Sequence, residues 1–216
     1  EDAIQKFAGF IPDINVEQCA SLRARYFGTL DRKDEDGLAT SADETGVDLI
    51  PALLEWAKDP AAPPFCALLG EYGTGKTVSC QMLADQINTA RKQQQTGALP
   101  LALYFDLRHV DAQRLPDFAV EPIIEQLLKS ADRAHQIKAR ALIDWVRANS
   151  ALVIFDGLDE VLVHLNPKQG RDFTRALWGI YPPAYWQQRA GNERTPAATS
   201  SPQNIASKLL ISCRSH

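Results

Sequence analysis

Apolar residues collect in four short runs: Phe65-Cys66-Ala67-Leu68-Leu69, Leu99 to Phe105, Ala151-Leu152-Val153-Ile154-Phe155, and Lys208-Leu209-Leu210-Ile211-Ser212. Each has the length of a strand, and the third, unbroken by any polar residue, suits a strand buried on both faces. Helical periodicity fills the intervals. Val47, Ile50, Leu54 and Ala57 recur at helical spacing before Asp59-Pro60 ends that pattern. A second helix follows the first strand from Val78 to Ile87, and a polar stretch from Arg91 to Gly97 separates it from the second strand. Pro122 opens a third, with Ile123, Ile124, Leu127 and Leu128 on its apolar side. A fourth runs from about Asp132 to Ala148 and carries Ile137, Leu142, Trp145 and Val146. Residues 161–190 read as helical with interruptions.

The rest of the chain is less regular. Residues 1–30 predict one or two short helices or turns, with Phe7, Phe10, Ile14, Val16, Leu22, Tyr26 and Phe27 as packing anchors. Residues 31–46, beginning Asp31-Arg32-Lys33-Asp34-Glu35-Asp36-Gly37, read as a solvated loop. Gly191 to Asn204 is rich in Gly, Asn, Thr, Pro, Ala and Ser and predicts an exposed loop. The expected organisation is an N-terminal segment, 1–46, ahead of a core, 47–216. Residues 25–50 are candidates to cover a bound base. The aromatic group Phe173, Trp178, Tyr181, Tyr185 and Trp186 surrounds Pro182-Pro183. It reads either as packing beneath a kinked helix or as a contact surface for another domain or protomer.

Between the first strand and its helix stands Gly70-Glu71-Tyr72-Gly73-Thr74-Gly75-Lys76-Thr77. A strand, a G-x-x-x-x-G-K-[ST] loop and a helix in this order form a phosphate-binding loop. Phosphates need backbone N–H groups turned inward, which glycines permit, and the helix start adds its positive dipole end. The expected nucleotide contacts run from Gly70 through Val78. Lys76 reaches the outer phosphates and Thr77 ligates Mg²⁺.

The third strand delivers Asp156-Gly157-Leu158-Asp159-Glu160. An acidic cluster at the end of an apolar strand is the complement of a phosphate loop in an NTPase. Asp156 is the second expected Mg²⁺ ligand, and Glu160, or alternatively Asp159, prepares the attacking water. The last strand ends at Cys213-Arg214-Ser215-His216, where Arg214 is positioned to sense the γ-phosphate. Asp106 and Arg108 end the second strand and read equally well as ligand-facing or as surface caps. His135 and His164 read as surface groups, and Trp145 as a core or interdomain anchor.

With 216 residues, 45% of them hydrophobic and 23% charged, the chain suffices for one α/β domain with a substantial core. A net charge of −4 argues against a strongly basic nucleic-acid surface. The four cysteines, Cys19, Cys66, Cys80 and Cys213, share no short spacing, which suits thiols in a reducing, cytoplasmic compartment. No apolar run approaches the roughly 20 residues of a membrane span. Both ends look cut, so a domain excised from a larger protein is expected.

Together, Gly70 to Thr77, Asp156-Gly157-Leu158-Asp159-Glu160 and Leu209-Leu210-Ile211-Ser212-Cys213-Arg214 resemble the NACHT NTPase domain of the STAND class. The "DG-apolar-DE" form is the most family-specific of the three, and Ser212-Cys213 replaces the more usual Thr-Ser. The resemblance implies a three-layer sandwich with a parallel sheet of the ASCE/AAA+-like type, ordered second, third, fourth, first strand. A fifth strand, a helical lid and a winged-helix domain would lie beyond His216. It further implies a signalling switch that hydrolyses ATP slowly: closed and monomeric with ADP, able to oligomerise with ATP and to activate an attached effector, often in bacterial defence. The competing expectations are an AAA+-like ATPase, a small-molecule kinase, or a scaffold that binds nucleotide without useful hydrolysis.

Overall fold

The computed structural model describes residues 2–9, 11, 23–24, 47–94, 99–115, 117–130, 137–190 and 207–215. Its centre is a four-stranded parallel sheet of β1 (Phe65–Leu69), β2 (Leu101–Asp106), β3 (Ala151–Asp156) and β4 (Lys208–Cys213), in the order β1-β4-β3-β2. This is the order that the resemblance implies. The helices are α1 (Asp2–Ala8), α2 (Leu49–Lys58), α3 (Lys76–Gln94), α4 (Val120–Ser130), α5 (Ala139–Ala148), α6 (Leu158–Leu162), α7 (Pro167–Trp178) and α8 (Pro183–Ala190). A two-residue antiparallel pairing of Arg23–Ala24 with Val47–Asp48 stands apart from the sheet.

Strand periodicity divides the sheet's residues between two cores. Leu103, Phe105, Val153, Phe155, Leu209 and Ile211 enter a large cluster with α1, α4, α5, α6 and α7. Ala102, Tyr104, Leu152, Ile154 and Leu210 enter a smaller one with α2 and α3. With helices on both faces, the fold is the α/β three-layer sandwich of a P-loop NTPase. β2 is an edge strand, and Asn88 of α3 serves its otherwise unpaired backbone at Ala102. The side-chain amide donates to the carbonyls of Ala102 (2.9 Å) and Ala8 (2.8 Å), while its oxygen accepts from the Ala102 N–H (2.9 Å). One buried amide thereby holds α1 and α3 to the sheet.

Several sequence expectations shift. The helix before β1 begins at Leu49 and buries Leu49, Leu53 and Ala57, whereas Val47 lies outside it and is exposed. Its inward face is therefore rotated from the Val47-Ile50-Leu54 stripe. α3 extends to Gln94, through half of the stretch read as polar, because Arg91 and Lys92 are tolerated in a last helical turn. α5 begins at Ala139; residues 131–136, with His135, lie outside the described residues, as do Cys19, 25–46 and 191–206. Of the N-terminal anchors, Phe7 packs on Phe105 with ring centroids 5.5 Å apart, and the other six fall outside the described residues.

The aromatic group is packing. Trp178 lies 4.5 Å from Phe65 and 4.9 Å from Trp186, and Tyr181 lies 4.9 Å from Tyr185, ring centre to ring centre. Tyr181 is buried, and its hydroxyl donates to the carbonyls of Ala151 (2.9 Å) and Lys208 (3.2 Å). No helix among the described residues is long and apolar enough to cross a membrane.

Candidate functional site

All the predicted site residues gather at the carboxyl ends of the strands. β1 stops at Leu69, α3 starts at Lys76, and the loop between them turns through Gly73 (φ 76°) and Gly75 (φ 83°), both left-handed. Only glycine adopts such angles without strain. Gly70 is required for a different reason: a Cβ there would lie 2.9 Å from Thr74 Oγ1. That hydroxyl donates instead to Glu71 O at 2.8 Å. Lys76 Nζ folds back over the loop and donates to Gly70 O (2.6 Å) and Glu71 O (2.8 Å). Thr77 and Val78 are half-buried in the first turn of α3, and the Thr77 hydroxyl has no partner among the described residues. Lys76 and Thr77 thus open α3, at the end where the helix dipole favours an anion.

Asp156 ends β3 and is buried. Tyr104 donates to its Oδ2 at 3.0 Å, and Ser212 donates to its Oδ1 while accepting from the Gly157 N–H at 2.9 Å. The Cys80 thiol of α3 is buried near this charge. Burial first, then the Asp156 charge, pushes that thiol well above its ordinary value. Burial and the same charge raise the Tyr104 phenol, which stays a donor. An ionised carboxylate offers roughly four lone-pair positions, so the two hydroxyl donors, Tyr104 and Ser212, leave room for a cation or its water. Gly157 follows with φ 80°, a left-handed turn that redirects the chain into α6.

Arg214 joins the remaining acids. Its Nε lies 2.7 Å from Asp159 Oδ2 and its Nη2 3.6 Å from Glu160 Oε1, and its guanidinium sits 5.3 Å from the centre of the Tyr72 ring. The next residue, Ser215, donates to Glu71 Oε1 at 3.0 Å. Phosphate loop, acidic turn and last strand are therefore linked by side chains. The two acids differ in access: the Asp159 side chain is 12% exposed beneath Arg214, and that of Glu160 is 43% exposed. Glu160 is the one open to water.

Asp106 and Arg108 resolve as a cap. The Asp106 carboxylate accepts from the Arg108 backbone (3.0 Å) and pairs with its guanidinium (2.6 Å), which raises the Arg108 pKa. Among the described residues no group of His, Cys, Asp and Glu has the arrangement of a metal site, and Cys66, Cys80 and Cys213 are free thiols. Sequence reasoning missed Tyr104, Ser212 as a donor, Cys80 and the Tyr72–Arg214 stack. The available signal was strand alternation, since Tyr104 is in phase with Asp106.

Against known families, the sequence model of the NACHT domain matches residues 65–195, more than half of the chain. The chain belongs to the NACHT domain family. It is accordingly a nucleotide-binding P-loop NTPase domain of the STAND class. The NACHT match takes in β1, the phosphate loop, β3 and the acidic turn, but ends before β4, so Ser212 and Arg214 join the site through the sheet order alone. No curated protein matches the chain.

Proposed function

We propose that this NACHT domain is a Mg²⁺-dependent ATPase used as a conformational switch. The observation that carries the reading is the bridge of Arg214 to Asp159 and Glu160 beside Tyr72, because a bound triphosphate brings an anion that competes for the same guanidinium. Gly70 through Val78 line the nucleotide, with Lys76 on the outer phosphates. Thr77 and Asp156 would hold Mg²⁺; a Thr77 hydroxyl without a partner among the described residues and the lone pairs that Tyr104 and Ser212 leave on Asp156 fit a hard, oxygen-seeking cation. When bound, that cation neutralises charge on the transferring phosphate. Glu160 accepts a proton from the attacking water, Asp159 holds Arg214, and Arg214 reports the γ-phosphate.

Slow hydrolysis suits this arrangement, since the lifetime of the ATP state then sets the signal. An ADP-bound closed monomer, an ATP-bound oligomer and an attached effector, in a defence or regulatory role, complete the reading. Residues 47–216 form its NTPase core, and the free thiols favour a reducing cytoplasm.

The test is to denature the purified chain and chromatograph the released nucleotide, then follow ATP turnover with and without MgCl₂. Stoichiometric ADP with slow, Mg²⁺-dependent turnover supports the switch. An empty site with rapid turnover, or turnover that requires a phosphate-accepting substrate, overturns it in favour of a motor-type ATPase or a kinase. Glu160→Gln should keep ATP binding and lower hydrolysis about 10²-fold or more; an unchanged rate removes Glu160 from the reaction.

A further inference from the structure

We infer that Tyr104 is a positioning residue for the nucleotide site: with Ser212 it fixes the plane of the Asp156 carboxylate. The Cβ–Cγ torsion of an aspartate is broad, so a carboxylate at a strand end swivels unless held. Here each oxygen has its own hydroxyl donor, Tyr104 on Oδ2 (3.0 Å) and Ser212 on Oδ1. The donors come from the two strands that flank β3, so rotation of the carboxylate breaks a bond on each side. Register explains the convergence. Asp106 pairs with Asp156, and Tyr104, two residues earlier on the same face, reaches up with the length of its ring. Ile211 pairs with Phe155, which places Ser212 beside Asp156. Ser212 is itself oriented by the Gly157 N–H at 2.9 Å.

A phenylalanine at position 104 would fill the same buried space but leave Oδ2 without this donor. Tyr104 thus adds to the site something that burial alone does not require. The inference rests on the reading of Asp156 as the Mg²⁺ carboxylate.

The experiment titrates MgCl₂ into the full chain holding a fluorescent ATP analogue, starting from EDTA, for the wild type, Tyr104→Phe, Ser212→Ala and the remote control Tyr181→Phe. The expected result is a rise of about tenfold in the Mg²⁺ midpoint for Tyr104→Phe and for Ser212→Ala, in keeping with the loss of one hydrogen bond to a charged acceptor. Affinity in EDTA stays within about twofold, and the control midpoint stays put. An unchanged midpoint in Tyr104→Phe beside a responsive wild type overturns the inference alone. Equal weakening with and without Mg²⁺ also overturns it, because Tyr104 is then only a core residue. A wild type that binds the analogue but ignores MgCl₂ overturns the metal role of Asp156 and the inference with it.

Discussion

At the amino ends of the strands, Tyr181 donates to the carbonyls of Ala151 and Lys208, Tyr185 donates to Ser207, and Lys208 Nζ donates to Ala62 (2.7 Å) and Pro63 (3.4 Å). At the carboxyl ends, Arg214 binds Asp159 and Glu160, Ser215 binds Glu71, and Lys76 rests on the carbonyls of its own loop. The first set ties side chains to backbone beneath a layer of rings, where exchange would orphan buried carbonyls. The second set ties charged groups to partners that are themselves partly exposed, where an incoming anion can take over a donor at small cost. One end of the sheet is a closed structure; the other is a site with interim partners. Substitutions at the two ends should therefore separate stability from binding.

The largest effect belongs to Lys76→Ala. Losing a charge-paired ammonium should weaken nucleotide binding by about 30-fold to several thousandfold. The melting temperature should move little, because Lys76 is only half-buried and its present partners are loop carbonyls. A large drop in melting temperature with retained affinity would reverse the distinction between the ends.

Arg214→Ala comes next. The variant should bind ADP as the parent does and lose about tenfold in its preference for ATP over ADP, the size of one charge-assisted contact. Competition titrations measure the ratio. If it holds, Arg214 serves only to steady Asp159 at 2.7 Å, and the carboxyl end is partly as structural as the amino end.

How much of this was visible in the sequence follows from how local each feature is. The phosphate loop and the four strands are contiguous, and each was placed to within two residues, because glycine angles and apolar runs are set by neighbours along the chain. The Asp156 surroundings are not contiguous. Tyr104, Asp156 and Ser212 meet only because β2 and β4 flank β3, and periodicity within a strand carries no information about pairing order. Within its own run Tyr104 reads as one more apolar residue. The inward face of α2 escapes the sequence for a local reason: the helical pattern includes Val47, which the structure assigns to a short strand pairing with Ala24. Sequence does not separate packing from docking for the aromatic group, since ring content is the same in both until Ala151 and Lys208 supply the acceptors.

Tyr181→Phe tests the amino end. Removing one hydroxyl from two buried carbonyls should cost about 1–3 kcal/mol, or roughly 2–10 °C in a chain of this size, with nucleotide affinity unchanged. Calorimetry and the binding titration decide it together, and weaker nucleotide binding would mean that the two ends are coupled through the sheet.

The last effect is a shared one, spread over a wide pH range. Burial pushes the Cys66 thiol up to about 11, whereas an unfolded thiol ionises near 8.5. Between those values the folded chain binds the extra proton, so stability is fully present below about pH 8 and declines as pH rises through the interval up to about 11. Tyr181, raised by its burial, acts in the same direction at higher pH. Denaturant midpoints should therefore fall from pH 9 to 11, as for any raised acid. Cys66→Ala should flatten the early part of that decline. A midpoint that stays flat over the interval would mean that Cys66, on the β1 edge of the sheet, is reached by solvent, and that the closed part of the molecule ends before its first strand.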